Sequence, residues 1–303
     1  MNINALTKIV GLIGYPIDYT LSPAMHNAAF KKLNLNFVYL PFRVKLEDLN
    51  LAIKGLLALH IVGVNVTIPH KEEVMKYLHD FSQEASMIGA VNTICLHEGK
   101  FIGDNTDGKG FVTSLIEEMN IDPSGKKIVI LGAGGAARAI GFSLAKLGIK
   151  RITFTDKDMV KAESLSSDIK HHFHELWLDT VGLEDKEFED YIKDCDILIN
   201  ATPSGMHEDD PLLINPDWLF PNQVVYDIIY SPPQTTLLKM AKAKGCKTQN
   251  GISMLVHQGA LSYELWTGKK APIEVMRQAI ASSSLFLVPQ FRFRKKNWVV
   301  TFC

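Results

Sequence analysis

Apolar and polar residues alternate with two different periods along the first hundred residues. Short β-branched runs over residues 8–14, 36–44 and 61–68 predict three strands. Each run is followed by a segment with apolar residues at helical spacing, and strands that alternate with helices in this way are typical of a parallel sheet. Residues 91–105 then predict a hairpin, and residues 106–119 predict a helix that leads away from this first sheet.

Two helices in this half have recognisable starts. Ser22 can cap the first helix, and Pro23 suits its first turn. The pattern after the third strand predicts another helix over residues 70–81, with His70 at its start. The first hundred residues are therefore expected to form a mainly parallel sheet with helices packed on it.

A second alternating series begins near residue 126. Residues 126–148 predict a strand, a glycine-rich turn and a helix. Later strands are expected over 151–156, within 196–205 and over 224–230. This second series predicts another parallel sheet, separate from the first.

The last two helical patterns, over residues 251–268 and 271–280, are rich in apolar residues, and we expect them to return and pack on the first sheet. The tail, residues 289–303, changes abruptly in charge and aromatic content and is assigned no function. The predicted fold class is α/β, with an N-terminal, mainly parallel α/β domain and a Rossmann-type dinucleotide-binding domain.

Composition disfavours several classes of protein. The chain has 303 residues, 47% of them hydrophobic, which suits a globular protein of two domains. Lysine and arginine total 32 against 33 acidic residues, so no net field attracts nucleic acid or anionic membranes. No stretch reaches the about 20 apolar residues of a membrane span, and the start lacks the pattern of a secretory signal. The cysteines form no C-x-x-C pair, which favours reduced thiols, no metal site and a cytoplasmic protein; they are Cys95, Cys195, Cys246 and Cys303.

The glycine-rich turn has the spacing of a dinucleotide-binding fingerprint. Gly132, Gly134 and Ala137 match G-x-G-x-x-[G/A] between a predicted strand and a predicted helix. Backbone N–H groups at such a helix start bind phosphates. The alternative is an ordinary turn, and the strand and helix context argues against it. The candidate cofactor-binding residues of the turn are Gly132, Ala133, Gly134, Gly135 and Ala136.

An acidic residue follows the next predicted strand. Asp156 lies 24 residues after Gly132, close to the offset of about 20 at which a carboxylate binds the adenosine ribose. A carboxylate there repels a 2′-phosphate and favours NAD over NADP. Lys157 can offset this repulsion and Asp158 reinforces it, while a solvated turn remains the alternative.

A dinucleotide implies hydride transfer, and hydride transfer to or from an alcohol leaves an oxygen whose proton must be handled. Lys71, directly after Pro69 and His70, is a candidate for that proton transfer. Asp107 is a candidate partner, although it lies 36 positions away, so the pairing depends wholly on the fold. Taken alone, Lys71 is more simply a surface charge.

Eight sequence blocks together resemble shikimate dehydrogenases. They occur in the order and roughly the spacing of that family and cover about residues 8 to 285. The blocks are GYPIDYTLSPAMHNAAF, GVNVTIPHK, GAVNTI, GDNTDGKG, LGAGGAARA, INATPSGM, YDIIYSP and NGISMLVHQGA. The most specific pair is NVTIPHK with NTDG.

The resemblance implies a role for individual residues. Lys71 matches the lysine that handles the hydroxyl proton, and Asp107 matches the aspartate that pairs with it. The family's substrate is a small cyclohexene carboxylate with several hydroxyls. The matching substrate-binding residues are Thr20 and Ser22 for the carboxylate and Thr67, Asn92 and Gln258 for the ring hydroxyls, with Tyr230 beside them. The nicotinamide is flanked in the family by the segments that here contain Thr202, Ile228, Tyr230 and Gly251.

Two departures from the family pattern bear on specificity. Thr20 stands where the family commonly has serine, and Tyr19 stands where it has histidine. Threonine keeps the hydroxyl group of serine, but its added methyl narrows the carboxylate pocket. Asp156, Lys157 and Asp158 stand where the family usually has Asn-Arg-Thr. That change puts the usual NADP preference in doubt and favours NAD, as in quinate-oxidising relatives.

The resemblance implies reversible, NAD(P)H-dependent reduction of 3-dehydroshikimate to shikimate, on the pathway to chorismate and the aromatic amino acids. The alternatives are an NAD-dependent quinate or quinate/shikimate dehydrogenase, a non-catalytic metabolite-binding regulator, and a methyltransferase. The expected partner is the small-molecule substrate, with no nucleic acid and no membrane, in a monomer or homodimer.

The expected domains follow the same division. Residues 1–106 form the substrate-binding catalytic domain, which the C-terminal helices within 252–288 join. Residues 107–251 form the dinucleotide-binding domain, and 289–303 are a tail of uncertain structure.

Overall fold

The computed structural model describes residues 3–283, which form two six-stranded sheets with helices packed against them. The first sheet consists of β1 (Lys8–Gly14), β2 (Phe37–Arg43), β3 (Gly63–Val66), β4 (Asp80–Phe81), β5 (Thr93–His97) and β6 (Lys100–Asp104). The helices of this half are α1 (Ser22–Lys32), α2 (Leu49–Ala58) and α3 (Gln83–Ile88).

The first sheet is mixed. Its strand order is β2-β1-β3-β5-β6-β4, and β1 runs parallel to both β2 and β3. β5 is antiparallel to β3 and to β6 because β5 and β6 form the predicted hairpin. Glu98 and Gly99 turn that hairpin with φ of 48° and 76°, the left-handed region that tight turns require. Since β4 again runs parallel to β6, three of the five pairings are parallel.

The second sheet is parallel throughout, as a Rossmann-type domain requires. It consists of β7 (Lys127–Leu131), β8 (Arg151–Thr155), β9 (Trp177–Thr180), β10 (Ile197–Asn200), β11 (Val224–Asp227) and β12 (Lys247–Gln249). Its helices are α5 (Gly135–Ala145), α6 (Met159–His172), α7 (Phe188–Asp194) and α8 (Thr236–Ala243). The order is β12-β11-β10-β7-β8-β9, so the strand order reverses between β7 and β10. Ligands bind at the carboxyl ends of strands beside such a reversal.

α4 (Asp107–Thr113) connects the two sheets, and one turn of π-helix extends it over Ser114–Glu118. The predicted helix over 106–119 is therefore confirmed. Because Asp107 is the first residue of α4, the fold holds its side chain where the chain leaves the first sheet for the second.

The C-terminal helices α9 (Ile252–Thr267) and α10 (Ile273–Ala281) return to the first sheet, as predicted. Tyr263, Trp266 and Met276 share a buried core with residues of β1 and α1. Trp266 also donates its indole N–H to the carbonyl of Ile94 at 3.0 Å. No helix within residues 3–283 is long and apolar enough to cross a membrane. The tail predicted over 289–303 lies outside the described residues.

Two local predictions were wrong. A 3-10 turn over Glu73–Tyr77 and the short strand β4 replace the helix expected over 70–81. The carbonyl of Lys71 accepts a hydrogen bond from the Val91 N–H at 2.8 Å, so it is engaged away from any helical partner. Ser22 is not the cap of α1 but its first residue, since Leu21 holds the cap position without a side-chain bond.

Candidate active site

Lys71 and Asp107 meet between the two sheets, beside the glycine turn of the second. Lys71 lies just after β3, and Asp107 is the first residue of α4. The Lys71 Nζ donates to Asp107 Oδ2 at 2.5 Å, and the two side chains are 15% and 6% exposed. Lys71 and Asp107 lie 36 positions apart in the sequence, and the expected pairing between them is present in the folded chain. The Lys71 side chain is therefore largely buried but not fully enclosed.

Asn92 orients the second oxygen of Asp107. Its amide nitrogen donates to Asp107 Oδ1 at 2.9 Å and to Gln258 Oε1 at 3.3 Å. Its amide oxygen accepts from the backbone N–H of Thr106 at 2.8 Å, and a backbone N–H can only donate, so the amide orientation is determined. Both oxygens of Asp107 are thus engaged, one by Lys71 and one by Asn92.

A buried polar layer beneath these residues was not identified from the sequence. Thr93 and Ser262 bring their hydroxyls within 2.8 Å of each other. The Asn65 amide donates to the Ser262 hydroxyl at 2.9 Å and accepts from the Tyr39 hydroxyl at 2.8 Å. A signal was available, because polar residues interrupt apolar strands in the NVT and VNT segments. The layer supports Asn92 and links α9 to the sheet.

Thr20 and Ser22 lie together at the start of α1. The Thr20 hydroxyl accepts from the Ser22 backbone N–H at 3.3 Å. Burial raises the pKa of Tyr230, and its hydrogen bond with Thr20 acts in the opposite direction. Burial also raises the pKa of Tyr39, against a smaller opposite effect of its hydrogen bond with Ser22. Both phenols are therefore neutral hydrogen-bonding groups next to the two expected carboxylate-binding residues.

Thr67 follows β3 and is half-buried at the strand's carboxyl end. Its backbone N–H donates to the Ile13 carbonyl at 3.0 Å, which holds the segment against β1. Its methyl packs on Gly14, where an added Cβ would lie 2.3 Å from Thr67 Cγ2. Thr67 and Lys71 therefore leave the first sheet on the same short segment.

The glycine turn after β7 can accommodate a phosphate group. Gly132 has a φ of 104°, which glycine adopts most readily. A Cβ added to Gly134 would meet no atom of the described residues within 4 Å, so the turn faces open space there. The turn leads directly into the N-terminus of α5, where free N–H groups favour an anion. These features suit the pyrophosphate of a dinucleotide.

Asp156 is attached to this turn. Its Oδ2 accepts from the Ala133 N–H at 2.8 Å, and its Oδ1 accepts from the Asp158 N–H at 2.9 Å. The carboxylate is therefore held beside the turn by two backbone donors, while Lys157 and Asp158 are exposed. A negative charge at this point faces the region where an adenosine ribose would bind.

Another group of hydrogen-bonded polar side chains lies at the carboxyl ends of β10 and β11. Thr202 donates its hydroxyl to Asn200 Oδ1 at 2.7 Å, and Asn200 donates to Asp227 Oδ1 at 3.1 Å. Thr235 donates to the other oxygen of Asp227 at 2.7 Å. Burial raises the pKa of Asp227 to about 6, although these hydrogen bonds oppose the rise. Asp227 was missed from the sequence, and it holds together the loops that contain Thr202 and Ile228.

Gly251 and Ile228 are in direct contact. A Cβ added to Gly251 would lie 1.8 Å from the Ile228 carbonyl oxygen, so only glycine fits there. The Gly251 N–H donates to the Ile229 carbonyl at 3.0 Å. The start of α9, which leads to Gln258, is thus fixed against the second sheet.

The candidate site combines a lysine–aspartate ion pair, neutral hydrogen-bonding groups and a glycine turn at a helix N-terminus. Such a set can bind a polar small molecule and exchange a proton with it. No group of histidine, cysteine or carboxylate side chains suited to a metal ion occurs within the described range.

Comparison with known proteins gives a consistent result. Residues 12–94 match the family model of the shikimate dehydrogenase substrate binding domain, and residues 251–281 match that of the shikimate 5′-dehydrogenase C-terminal domain. A shikimate dehydrogenase (NADP(+)) from Methanopyrus kandleri is 48% identical over 282 residues, 92% of this chain and 97% of the relative.

Solved structures agree with these sequence matches. A shikimate dehydrogenase in complex with NADP+ superposes with a TM-score of 0.84 at 46% identity, over 92% of this chain and 96% of the other. A shikimate 5-dehydrogenase from Listeria monocytogenes in complex with shikimate and NAD has a TM-score of 0.83 at 37% identity, over 92% and 98% of the two chains. Both cofactors thus occur among relatives of similar structure.

Proposed function

The chain belongs to the shikimate dehydrogenase family, and from this premise we propose that it catalyses the reversible reduction of 3-dehydroshikimate to shikimate. The observation that carries the proposal is the hydrogen-bonded pair of Lys71 and Asp107 beside the glycine turn. This reaction is a step in the synthesis of chorismate and the aromatic amino acids.

Lys71 and Asp107 are the proposed catalytic residues. When bound, the dinucleotide supplies the hydride for the ketone carbon. Lys71 gives a proton to the ketone oxygen in that direction and accepts it from the hydroxyl in the other. Asp107 holds the ammonium through Oδ2, and Asn92 holds Asp107 through Oδ1. The lysine is thereby oriented before the substrate binds.

The substrate residues divide by chemistry. Thr20 and Ser22 are proposed to bind the carboxylate, with Tyr230 beside Thr20. Thr67, Asn92 and Gln258 are proposed to bind the ring hydroxyls. Neutral donors and acceptors suit a polyol, because each hydroxyl left unpaired in a buried site costs roughly 1 to 3 kcal/mol.

The proposed cofactor is NADP, which the relatives' names support. Its binding residues would be Gly132 to Ala136 for the pyrophosphate, Asp156 to Asp158 for the adenosine ribose, and Thr202, Ile228 and Gly251 around the nicotinamide. The negative charge of Asp156 beside the turn favours NAD over NADP instead. Initial rates with both cofactors decide between them.

A quinate or quinate/shikimate dehydrogenase is the second candidate. The carboxylate of Asp156 is the feature that favours it, and the methyl of Thr20 alters the pocket that distinguishes shikimate from the bulkier quinate. Comparing kcat/KM for shikimate and quinate, each with NADP and NAD, separates the two activities. A larger value for quinate with NAD would replace the first proposal by the second.

The finer organisation is also part of the proposal. We divide the chain into residues 1–106 with the C-terminal helices, a dinucleotide-binding part over 107–251, and a tail. We propose a cytoplasmic monomer or homodimer that binds shikimate and a dinucleotide. The free thiols of Cys95, Cys195 and Cys246 are consistent with the cytoplasmic location. Size-exclusion chromatography with light scattering measures the oligomeric state.

Oxidation of shikimate, followed at the absorbance band of the reduced nicotinamide, tests the proposed function. Turnover that requires both shikimate and a dinucleotide supports it. Binding of both compounds without turnover would instead indicate the regulatory, non-catalytic alternative.

A further inference from the structure

The glycine turn leaves little room for a side chain beside the candidate catalytic lysine. A Cβ added to Gly135, the first residue of α5, would lie 3.0 Å from Lys71 Cβ and 3.3 Å from Lys71 Cδ. Close-packed interiors leave little room for such an approach, so one side must move. The contacted Lys71 Cβ is next to the backbone and cannot swing aside as the end of a long side chain can.

Neither the backbone nor the dinucleotide fingerprint explains why residue 135 is glycine. Gly135 is helical, unlike Gly132 with its φ of 104°. The fingerprint assigns glycine to the positions of Gly132 and Gly134 and leaves the position of Gly135 unspecified. Alanine would be the better residue there by helix propensity alone. The contact with Lys71 supplies the missing reason.

Lys71 has little freedom to absorb a displacement. Its carbonyl accepts from the Val91 N–H at 2.8 Å, and its Nζ donates to Asp107 Oδ2 at 2.5 Å. The methyl of Ala90 also lies 3.7 Å from the position of a Gly135 Cβ. Because the backbone and the ammonium of Lys71 are both hydrogen-bonded, we expect a shift of its Cβ to distort the hydrogen bond between Nζ and Asp107.

We propose that Gly135 is a positioning residue for Lys71, in addition to any contact it makes with the cofactor. The nucleotide-binding turn thereby forms one wall of the proton-transfer site, and the same turn aligns the cofactor and the lysine. This inference rests on the proposed function, in which Lys71 transfers the proton.

Gly135→Ala tests the inference in wild-type and Lys71→Ala backgrounds. Gly55→Ala is the matched control, because Gly55 lies in α2 and an added Cβ there meets no described atom within 4 Å. We expect Gly135→Ala to lower kcat about tenfold in the wild type, since small misplacements of a reacting group are costly. The solvent deuterium isotope effect on kcat should rise, and the dissociation constant for NADPH should change by less than about twofold, because the turn keeps its backbone donors.

In the Lys71→Ala background the same substitution should change kcat by less than about twofold, because residues that act as a unit are non-additive. A tenfold loss in both backgrounds, or weaker NADPH binding that accounts for the loss, would assign Gly135 to the cofactor alone and overturn the inference. No loss in the wild type would overturn it as well. If Lys71→Ala itself keeps normal turnover, the role of Lys71 in proton transfer fails and the inference fails with it, whereas absence of shikimate turnover in the wild type would mean that the proposed function fails. Thermal unfolding of every variant identifies any loss that comes from misfolding.

Discussion

Asn92 donates its amide hydrogen to Asp107 because the Thr106 backbone engages the amide oxygen. Asp107 therefore receives one hydrogen bond from a neutral amide and one from the Lys71 ammonium. The geometry of the proposed catalytic pair depends on a third residue that carries no charge.

Asn92→Asp is predicted to disrupt this geometry. The new carboxylate cannot donate to Asp107, and two buried like charges repel each other. A lost hydrogen bond to a charged group costs about 1.5 to 3 kcal/mol, so kcat/KM for shikimate should fall about 10-fold to 100-fold or more. Steady-state kinetics measures this, with NADPH binding as the control for folding. Unchanged kcat/KM would remove Asn92 from the site.

Asp156→Asn is predicted to shift the cofactor preference toward NADP. Asparagine keeps an acceptor for the Ala133 N–H but removes the negative charge that opposes a 2′-phosphate. We expect the ratio of kcat/KM for NADP to that for NAD to rise about tenfold, which corresponds to about 1.4 kcal/mol.

Asp158→Asn is the matched control for this change. Asp158 is exposed, and its backbone N–H rather than its carboxylate bonds to Asp156. An equal effect in both variants would mean that the local charge alone matters, without a specific role for Asp156.

Asp227 is predicted to make the protein less stable as the pH rises. Burial raises its pKa from the usual 3.8 to about 6, so the native state holds the proton more strongly than the unfolded chain does. The stability that the protonated Asp227 contributes is fully present below pH 4 and is lost as the pH rises through 6. The loss in the free energy of unfolding totals about 3 kcal/mol. Urea unfolding of Asp227→Asn and wild type across this range measures it. The variant should gain stability relative to wild type with rising pH, and parallel profiles would contradict the prediction.

His26 is predicted to make the protein less stable as the pH falls. Burial lowers its pKa from 6.5 to about 3, and neither ring nitrogen has a partner among residues 3–283. The ring stacks on Tyr39 with centroids 4.4 Å apart. Above pH 6.5 His26 is neutral in both states and does not lower the free energy of unfolding. As the pH drops toward 3, His26 lowers that free energy by about 1.4 kcal/mol per pH unit.

His26→Phe should remove this acid-sensitive part of the stability profile while keeping an aromatic ring in the stack. His171→Gln, at an exposed position of α6, is the control. A His26→Phe profile that stays parallel to the wild type between pH 7 and pH 4.5 would show that His26 is not the group responsible.

Local chemistry and long-range packing were not equally predictable from the sequence. The glycine turn, the hairpin and the strand series were found because their signals lie within short segments. Lys71 and Asp107 were proposed as partners from their chemistry and then matched through a family resemblance, since 36 intervening residues carry no local sign of contact. Asn65 and Ser262, 197 positions apart, were missed for the same reason. The helix expected over 70–81 failed because Val91, far along the chain, takes the Lys71 carbonyl.

The kcat of Lys71→Ala for shikimate oxidation tests the central claim most directly. Loss of a general acid lowers kcat by about 10²-fold or more, and shikimate affinity should change little. Lys109→Ala, an exposed lysine on α4, is the control and should keep wild-type turnover. Near-normal kcat in Lys71→Ala would contradict the assignment of proton transfer to this lysine.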